Sequence, residues 1–313
     1  MGKNILLIIS YDGSCFHGWQ KQPEERTVQG YLEETLTRLF SSSMESGDEG
    51  YRPISLAGTS RTDAGVHALG LAASFKADIN IPTEKLAMVI NNSLAARERG
   101  DYGTAQVKTS YAQPPVRVLE AREMPEDFHA RFDCKGKEYI YKIRCGGEPS
   151  VFERNYVYWL PEELDVTRMN RSAQALIGTH DFKSFEAAGG NPRETTVRTI
   201  YDAYVQKVDY SKTYAIDDAG KPAARVAMGS LIEFHVKGDG FLYNMVRIMA
   251  GTLIEIGQEK RISRDIRRLL DVKDRTEAGF TAPPGGLYLA KVFYDEEELK
   301  LRGNSNGKQT IMG

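Results

Sequence analysis

The 313-residue sequence has little cysteine, little histidine, no long apolar run and almost no net charge, and each shortage removes a class of protein. Cys15, Cys134 and Cys145 are odd in number and lack CxxC spacing, so neither a disulfide framework nor a zinc ribbon is supported. The chain reads as cytosolic and reduced, a cytoplasmic protein. Five histidines, at positions 17, 67, 129, 180 and 235, are scattered without an HExxH pair, and no metal site is expected. The longest apolar stretch, Phe241 to Ile256, carries Asn244, Arg247 and Glu255 and falls short of the roughly 20 residues that cross a bilayer. No membrane association follows. MGKNILLIISYDG has one Lys and a short apolar run ending at a turn, so it reads as a strand and not a signal peptide. GxGxxG, GxxxxGK(S/T) and GxSxG patterns are all missing, which disfavours dinucleotide cradles, P-loops and serine hydrolases. With 41 Lys+Arg against 43 Asp+Glu the chain is no general polycation, although nucleic-acid binding depends on where charges sit.

What is present is enough for one large or two medium domains, at roughly 100–200 residues each. Lys3 to Tyr11 is strand-like and bounded by Asp12-Gly13. From Thr27, a capping residue, Val28, Leu32, Leu36, Leu39 and Phe40 recur at helical spacing. A strand near Leu71 to Lys76 precedes Pro82, which suits the start of a helix running toward Leu94. KEYIYKIR, Lys137 to Arg144, alternates: Tyr139, Tyr141 and Ile143 share one face, and Glu138, Ile140, Lys142 and Arg144 the other. A helix over Val166 to Ile177 ending at Gly178, a strand over Leu231 to Val236, a buried helix over Phe241 to Ile256, a charged helix over Ile262 to Val272 and a strand over Leu287 to Phe293 complete the pattern. Ser41 to Tyr51 reads as an exposed loop, Ala95 to Pro115 as an insertion, and the tail from Arg302 as flexible. Many strand pairs lack a helical crossover, so the class is α+β rather than a doubly wound parallel sheet. The polar, Pro-interrupted stretch Glu120 to Asp127 is the expected boundary, giving domains 1–120 and 121–301 and a tail 302–313.

The sharpest local feature is Gly58 to Ala68, GTSRTDAGVHA. Small residues, Arg61, Asp63, Gly65 and His67 lie between a strand-like LAG and the strand at Leu71. Such a loop can bring backbone close to a ligand and hold Asp63 at its tip. It can equally be a plain turn with Asp63 capping backbone amides, because Thr-Asp-Ala-Gly is good turn chemistry. Composition alone leaves both open.

GTSRTDAGVHA resembles the signature loop of the TruA family of tRNA pseudouridine synthases. SYDGSCFHGWQKQP with TVQGYLEETL, FHARFDCKGKEYIYKI, GTHDFKSF, FLYNMVRIMAG and GGLYLAKVFY resemble further blocks of that family, in family order from Lys3 to Tyr294. The resemblance implies the pseudouridine synthase fold: two α/β domains with antiparallel-rich sheets joined across a central catalytic cleft, Asp63 coming from the first and Tyr139, Arg247 and Leu287 from the second. It implies a cofactor-free, metal-free isomerase that converts uridine to pseudouridine in the anticodon stem-loop of tRNA, at positions 38, 39 and 40, acting as a homodimer.

By family position, Asp63 is the catalytic carboxylate, and whether it attacks C1′, attacks the base or removes a C2′ proton stays open. Arg247 is its cationic partner, Tyr139 the active-site tyrosine, and Leu287 a support beneath the base. Arg61 would assist base flipping, where a planar guanidinium is better than Lys, and His67 would support the loop. Arg131 to Arg144 holds five basic residues (Arg131, Lys135, Lys137, Lys142, Arg144) against Asp133 and Glu138, a local +3 suited to phosphates, with Arg131 and Lys137 as candidate contacts. Acidic clusters at Glu45 to Glu49 and Asp295 to Glu298 should face away from RNA. Ser41 to Tyr51, Ala95 to Pro115 and Asp209 to Pro222 are longer than the family pattern. A catalytically silent tRNA-binding or tRNA-folding protein on the same scaffold is the alternative.

Overall fold

The computed structural model describes residues 2–41, 47–100, 113–190, 194–208 and 229–301. The insertion expected at 209–222 and the tail from 302 lie outside the described residues, as do 42–46 and 101–112 of the other two long segments. The chain falls into two compact units, Met1–Cys134 with Tyr288–Val292, and Lys135–Leu287 with Phe293–Gly313. Each has an antiparallel-rich sheet and helices, the α+β content expected.

In the first unit β1 (Lys3–Tyr11), α1 (Val28–Phe40), β2 (Ala57–Gly58), β3 (His67–Ala77), α2 (Thr83–Glu98) and β4 (Val116–Met124) follow in order. β1 pairs antiparallel with β3 and β4. Its Ile5, Leu6, Leu7 and Ile9 are buried, as an Ile-rich strand covered by helices requires. Thr27 caps α1 by accepting the Gly30 N–H, and Val28, Leu32 and Leu36 face inward.

β4 is absent from the sequence reading, and the expected boundary between 120 and 121 falls inside it. Its register against β1 slips by one residue between Val118 and Glu120, a bulge that frees the Val118 peptide groups. Asn91 of α2 takes both up: its Nδ2 donates to the Val118 carbonyl at 2.7 Å and its Oδ1 accepts the Val118 N–H at 2.9 Å. The polar run that resembles a linker is a strand with one buried stripe, Val116 and Val118.

The second unit runs through β5 (Gly136–Cys145), β6 (Tyr158–Leu160), α3 (Val166–Ala173), β7 (Gly178–Asp181), β8 (Val197–Val208), β9 (Ser230–Gly238), α4 (Met245–Gly257) and α5 (Asp265–Val272). β9 lies between β5 and β8, antiparallel to both, and β7 pairs with β8. α4 is buried on nearly every side except at Arg247 and Glu255, which are half-buried, as a helix so largely apolar must be; at Gly251 a side chain would meet the Phe280 carbonyl at 1.9 Å. It starts at Met245 and not at Phe241, because Asn244 adopts a left-handed conformation (φ 57) that cannot continue a helix. α3 ends at Ala173 and tightens into a 3₁₀ turn over Gln174–Leu176. β10 (Leu287–Phe293) lies parallel to β3, with Tyr288 opposite His67, and α6 (Glu296–Lys300) follows. Among the described residues no helix is long and apolar enough to cross a membrane.

Candidate active site

In the first unit the Asp63 loop hangs between β2 and β3, and its side chains alternate in and out. Ser60 and Thr62 are buried, Arg61 and Ala64 exposed, and Asp63 is half-buried. The Val66 N–H donates to the Asp63 carbonyl at 3.1 Å, and Gly65 has φ +78, the positive φ that a type II turn demands at its third position. The turn chemistry and the functional reading are therefore compatible. Asp63 opens the turn through its carbonyl, and its carboxylate is not the group that closes it.

The loop is held from beneath by the segment after β1. Thr62 accepts the Trp19 N–H on its carbonyl at 3.0 Å and shares a 2.7 Å hydrogen bond between its hydroxyl and that of Tyr11. Gly13 packs against Val66 so closely that a Cβ there would lie 2.0 Å from the Val66 carbonyl oxygen. Gly18, at φ +88, leaves 2.6 Å between such a Cβ and the Thr62 carbonyl oxygen. Only glycine fits these positions.

His67 sits under the loop, 2 % exposed, and is not on a surface that substrate could touch. Its Nδ1 accepts the Gly13 N–H at 3.0 Å. Asp12 Oδ1 lies 3.3 Å from the same nitrogen but already accepts the Ser14 N–H and hydroxyl. The His67 ring stacks on Tyr288 at 4.7 Å. This places His67 as loop support.

In the second unit Arg247 and Tyr141 both bind the segment that leads to Leu287. Arg247, half-buried near the start of α4, donates from Nε to the Ala282 carbonyl and from Nη1 to Asn244 Oδ1, both at 2.7 Å. Its own carbonyl accepts the Ala282 N–H. Tyr141, fully buried, donates to the Pro283 carbonyl at 2.8 Å. Burial pushes its phenol far above the ordinary range, against the opposing pull of Arg247. Tyr139 is nearly buried and meets the Phe241 ring edge-on at 5.0 Å. Leu287 is 6 % exposed at the head of β10.

Two residues of the basic segment belong elsewhere. Arg144, expected on the phosphate-facing side, is buried and forks onto Glu153, with Nη2 at 2.6 Å and Nε at 3.0 Å, and Lys142 lies 3.7 Å from Glu233. Arg131 and Lys135 stay exposed and Lys137 half-buried, so the outward charge is smaller than the sequence count. Asn244 was not singled out, although an Asn immediately before an apolar helical run is a helix-start signal. Burial raises the Cys145 thiol to about 11, where it is no nucleophile at neutral pH. Among the described residues no group of three His, Cys, Asp or Glu side chains could hold a metal ion.

The family described as tRNA pseudouridine synthase matches residues 7–133 and 172–295. The chain is 39% identical over 297 residues to tRNA pseudouridine synthase A 2 of Clostridium tetani (strain Massachusetts / E88), spanning 94% of this chain and 100% of that protein. Against tRNA pseudouridine synthase A of Geobacillus kaustophilus (strain HTA426) the identity is 39% over 299 residues, 96% and 97% of the two chains. The protein of that name from Caldicellulosiruptor bescii is 38% identical over 292 residues, 93% and 100%.

Proposed function

The chain belongs to the tRNA pseudouridine synthase family, and from that premise we propose that it isomerises uridine to pseudouridine in the anticodon stem-loop of tRNA, at positions 38, 39 and 40, with Asp63 as the catalytic carboxylate. The enzyme is an isomerase. The N1–C1′ bond breaks, the uracil turns, and C5 bonds to C1′; the proton that leaves C5 is balanced by one gained at N1. Nothing enters or leaves overall, so the chemistry calls for positioning and acid–base work and for no redox partner.

The observation that supports this reading best is the Asp63 loop, which lies within the matched residues 7–133 and is clamped at Thr62 and Val66 by backbone contacts only glycine permits. Attack on C1′, attack on the base and removal of the C2′ proton all require an ionised carboxylate. Arg247 is the cation that family position assigns to it, since a carboxylate without one would tend toward its neutral form among phosphates. Tyr139 stacks on the flipped uracil and can pass a proton through its hydroxyl, with Leu287 beneath the base. Arg61, exposed on the loop, takes the vacated place in the helix or grips a phosphate, and Arg131 and Lys137 contact the backbone. The enzyme works in the cytoplasm as a homodimer of 35.0 kDa chains.

Purified protein should convert uridine in an anticodon stem-loop without added metal or nucleotide, and Asp63→Asn should lower the single-turnover rate by at least about 10³-fold while folding normally. Full activity in Asp63→Asn would sink the mechanistic assignment. Binding of tRNA with no pseudouridine formed by the unaltered protein would instead support a silent scaffold.

A further inference from the structure

The loop from Pro125 to Asp133 in the first unit is unusually well fastened for a surface segment. Asn4 Nδ2 donates to the carbonyls of Pro125 and Phe128, both at 2.8 Å. Buried Ala130 donates its N–H to Ser74 Oγ of β3 at 3.1 Å. The His129 carbonyl accepts the N–H groups of both Phe132 and Asp133, each at 3.1 Å. Asp133 Oδ2 in turn accepts the His129 N–H at 2.7 Å, and His129 Nδ1 accepts that of Arg131 at 3.1 Å.

At the end of this rigid loop Phe132 is 77 % exposed. Its ring lies 4.3 Å from that of His129 with 34° between the planes, and the Arg131 guanidinium carbon is 6.0 Å from its centroid. The ring is thus held by its neighbours in a fixed orientation with its outer face in water. Beside the ring Arg131 is exposed and the Asp133 carboxylate is engaged by the His129 N–H, while the exposed Glu126 and Asp127 stand at the start of the loop. Phe152, 86 % exposed in the second unit, is the useful contrast: the Arg154 guanidinium turns onto the Val151 carbonyl and that of Arg144 onto Glu153.

We propose that Phe132, seated against His129 and flanked by Arg131, is a stacking platform for an unstacked nucleobase of the RNA substrate, with Arg131 meeting an adjoining phosphate. Every base has a π-face, and splayed loop bases are held in this way on aromatic rings and guanidinium planes. The inference rests on the reading of the protein as a tRNA enzyme. It adds a site that neither Asp63 nor the Arg247 corner supplies.

The test is the affinity of the full chain for tRNA and for an anticodon stem-loop across a salt series, beside a fully paired RNA duplex. Phe132→Ala should bind both loop-containing RNAs about tenfold more weakly, with its melting temperature and salt slope unchanged and duplex binding unaffected. Phe132→Trp should restore affinity. Arg131→Ala should instead reduce the slope of log Kd against log salt by about one. Phe132→Ala that binds like the unaltered protein overturns the platform and leaves the isomerase reading standing. Unaltered protein that fails to bind tRNA overturns both. A Phe132→Ala protein whose mass in solution changes would show that a second copy covers the ring, and the platform would again fall.

Discussion

The Asp63 loop and the Arg247 corner hold their charged side chains by different means. Around Asp63 the contacts run mainly through backbone: the Thr62 carbonyl on the Trp19 N–H, the turn closed by Val66, and two glycines pressed against the loop, with the Thr62–Tyr11 hydroxyl pair beside them. Around Arg247 they run through side chains: its guanidinium on Asn244 Oδ1 and the Ala282 carbonyl, with Tyr141 tying down Pro283 next door. A backbone clamp tolerates no added atom, whereas a side-chain clamp is lost by removing one. The two units should therefore respond to opposite kinds of substitution.

Gly13→Ala should have the largest effect. Its Cβ has no room beside the Val66 carbonyl oxygen, and because both partners are backbone the loop itself must move. Overpacking of this kind costs about 1–3 kcal/mol, and a displacement near 1 Å at the reacting group costs about 10²-fold in rate. Turnover and thermal unfolding would be measured together. An unaltered rate in a folded Gly13→Ala would break the clamp.

At the other corner the informative substitutions take atoms away. Asn244 is one of few non-glycine residues with positive φ, and its side chain makes no capping bond and accepts from Arg247 instead. Asn244→Gly keeps the backbone conformation and loses the acceptor, so kcat should fall about tenfold with KM for tRNA nearly unchanged. Asn244→Ala should add a stability loss of about 1 kcal/mol from the left-handed backbone. Asn244→Asp should recover most of the rate. Equal rates in all three would show that the corner orients Arg247 without Asn244.

Tyr139 and Tyr141 bring the contrast down to two residues on one strand face. The Tyr141 hydroxyl is spent on the Pro283 carbonyl, so Tyr141→Phe should cost about 1–2 kcal/mol of stability by leaving that acceptor unmet, with little change in rate. Tyr139→Phe should do the reverse, lowering turnover by about 10²-fold if the hydroxyl moves a proton and leaving unfolding unchanged. A full-rate Tyr139→Phe narrows the residue's part to stacking of its ring.

Much of this was legible in the amino acids, and the failures have a common physical origin. Periodic apolar residues marked β1, α1, β5, α4 and β10 because burial of one face writes a period into the chain. β4 and the long β8 escaped because an edge strand and a strand with charged residues on its open face carry a weak stripe. The family resemblance points to Arg61, Asp63 and His67 in one stretch and to Tyr139, Arg247 and Leu287 in later ones; the first three lie in the first unit, His67 at the head of β3, and the last three in the second. Nothing in residue type alone showed that Arg144 turns inward to Glu153, since a charge buried by a partner nine residues away looks in sequence like any surface charge. Gly13 reads as a turn residue, and the closeness of Gly13 and Gly18 to the loop exists only in three dimensions.

The smallest effect separates the buried histidines of the two units. His67 is fixed by a backbone donor, whereas His235 on β9 lies among side chains: Glu138 of β5 at 3.4 Å, Glu233 at 3.1 Å, Gln206 of β8 at 3.3 Å and the stacked Tyr204 ring, with Asp202, Lys142 and Lys237 on the same sheet face. Burial alone would favour the neutral ring, but the hydrogen bonds to Glu138 and Glu233 outweigh it and hold the His235 pKa above its ordinary range. His235 in turn holds the Glu233 carboxyl below its own. The folded protein then binds the imidazole proton more tightly than the unfolded chain does. That stabilisation is complete below the unfolded value of about 6.5 and is lost as pH rises through the folded one. Glu233 works in the other direction, its contribution being lost as pH falls through its depressed value. The melting temperature should decline as pH rises above about 6.5, and His235→Gln should flatten that decline. An unchanged slope in His235→Gln would show that the carboxylates on this face are satisfied without a proton on the ring.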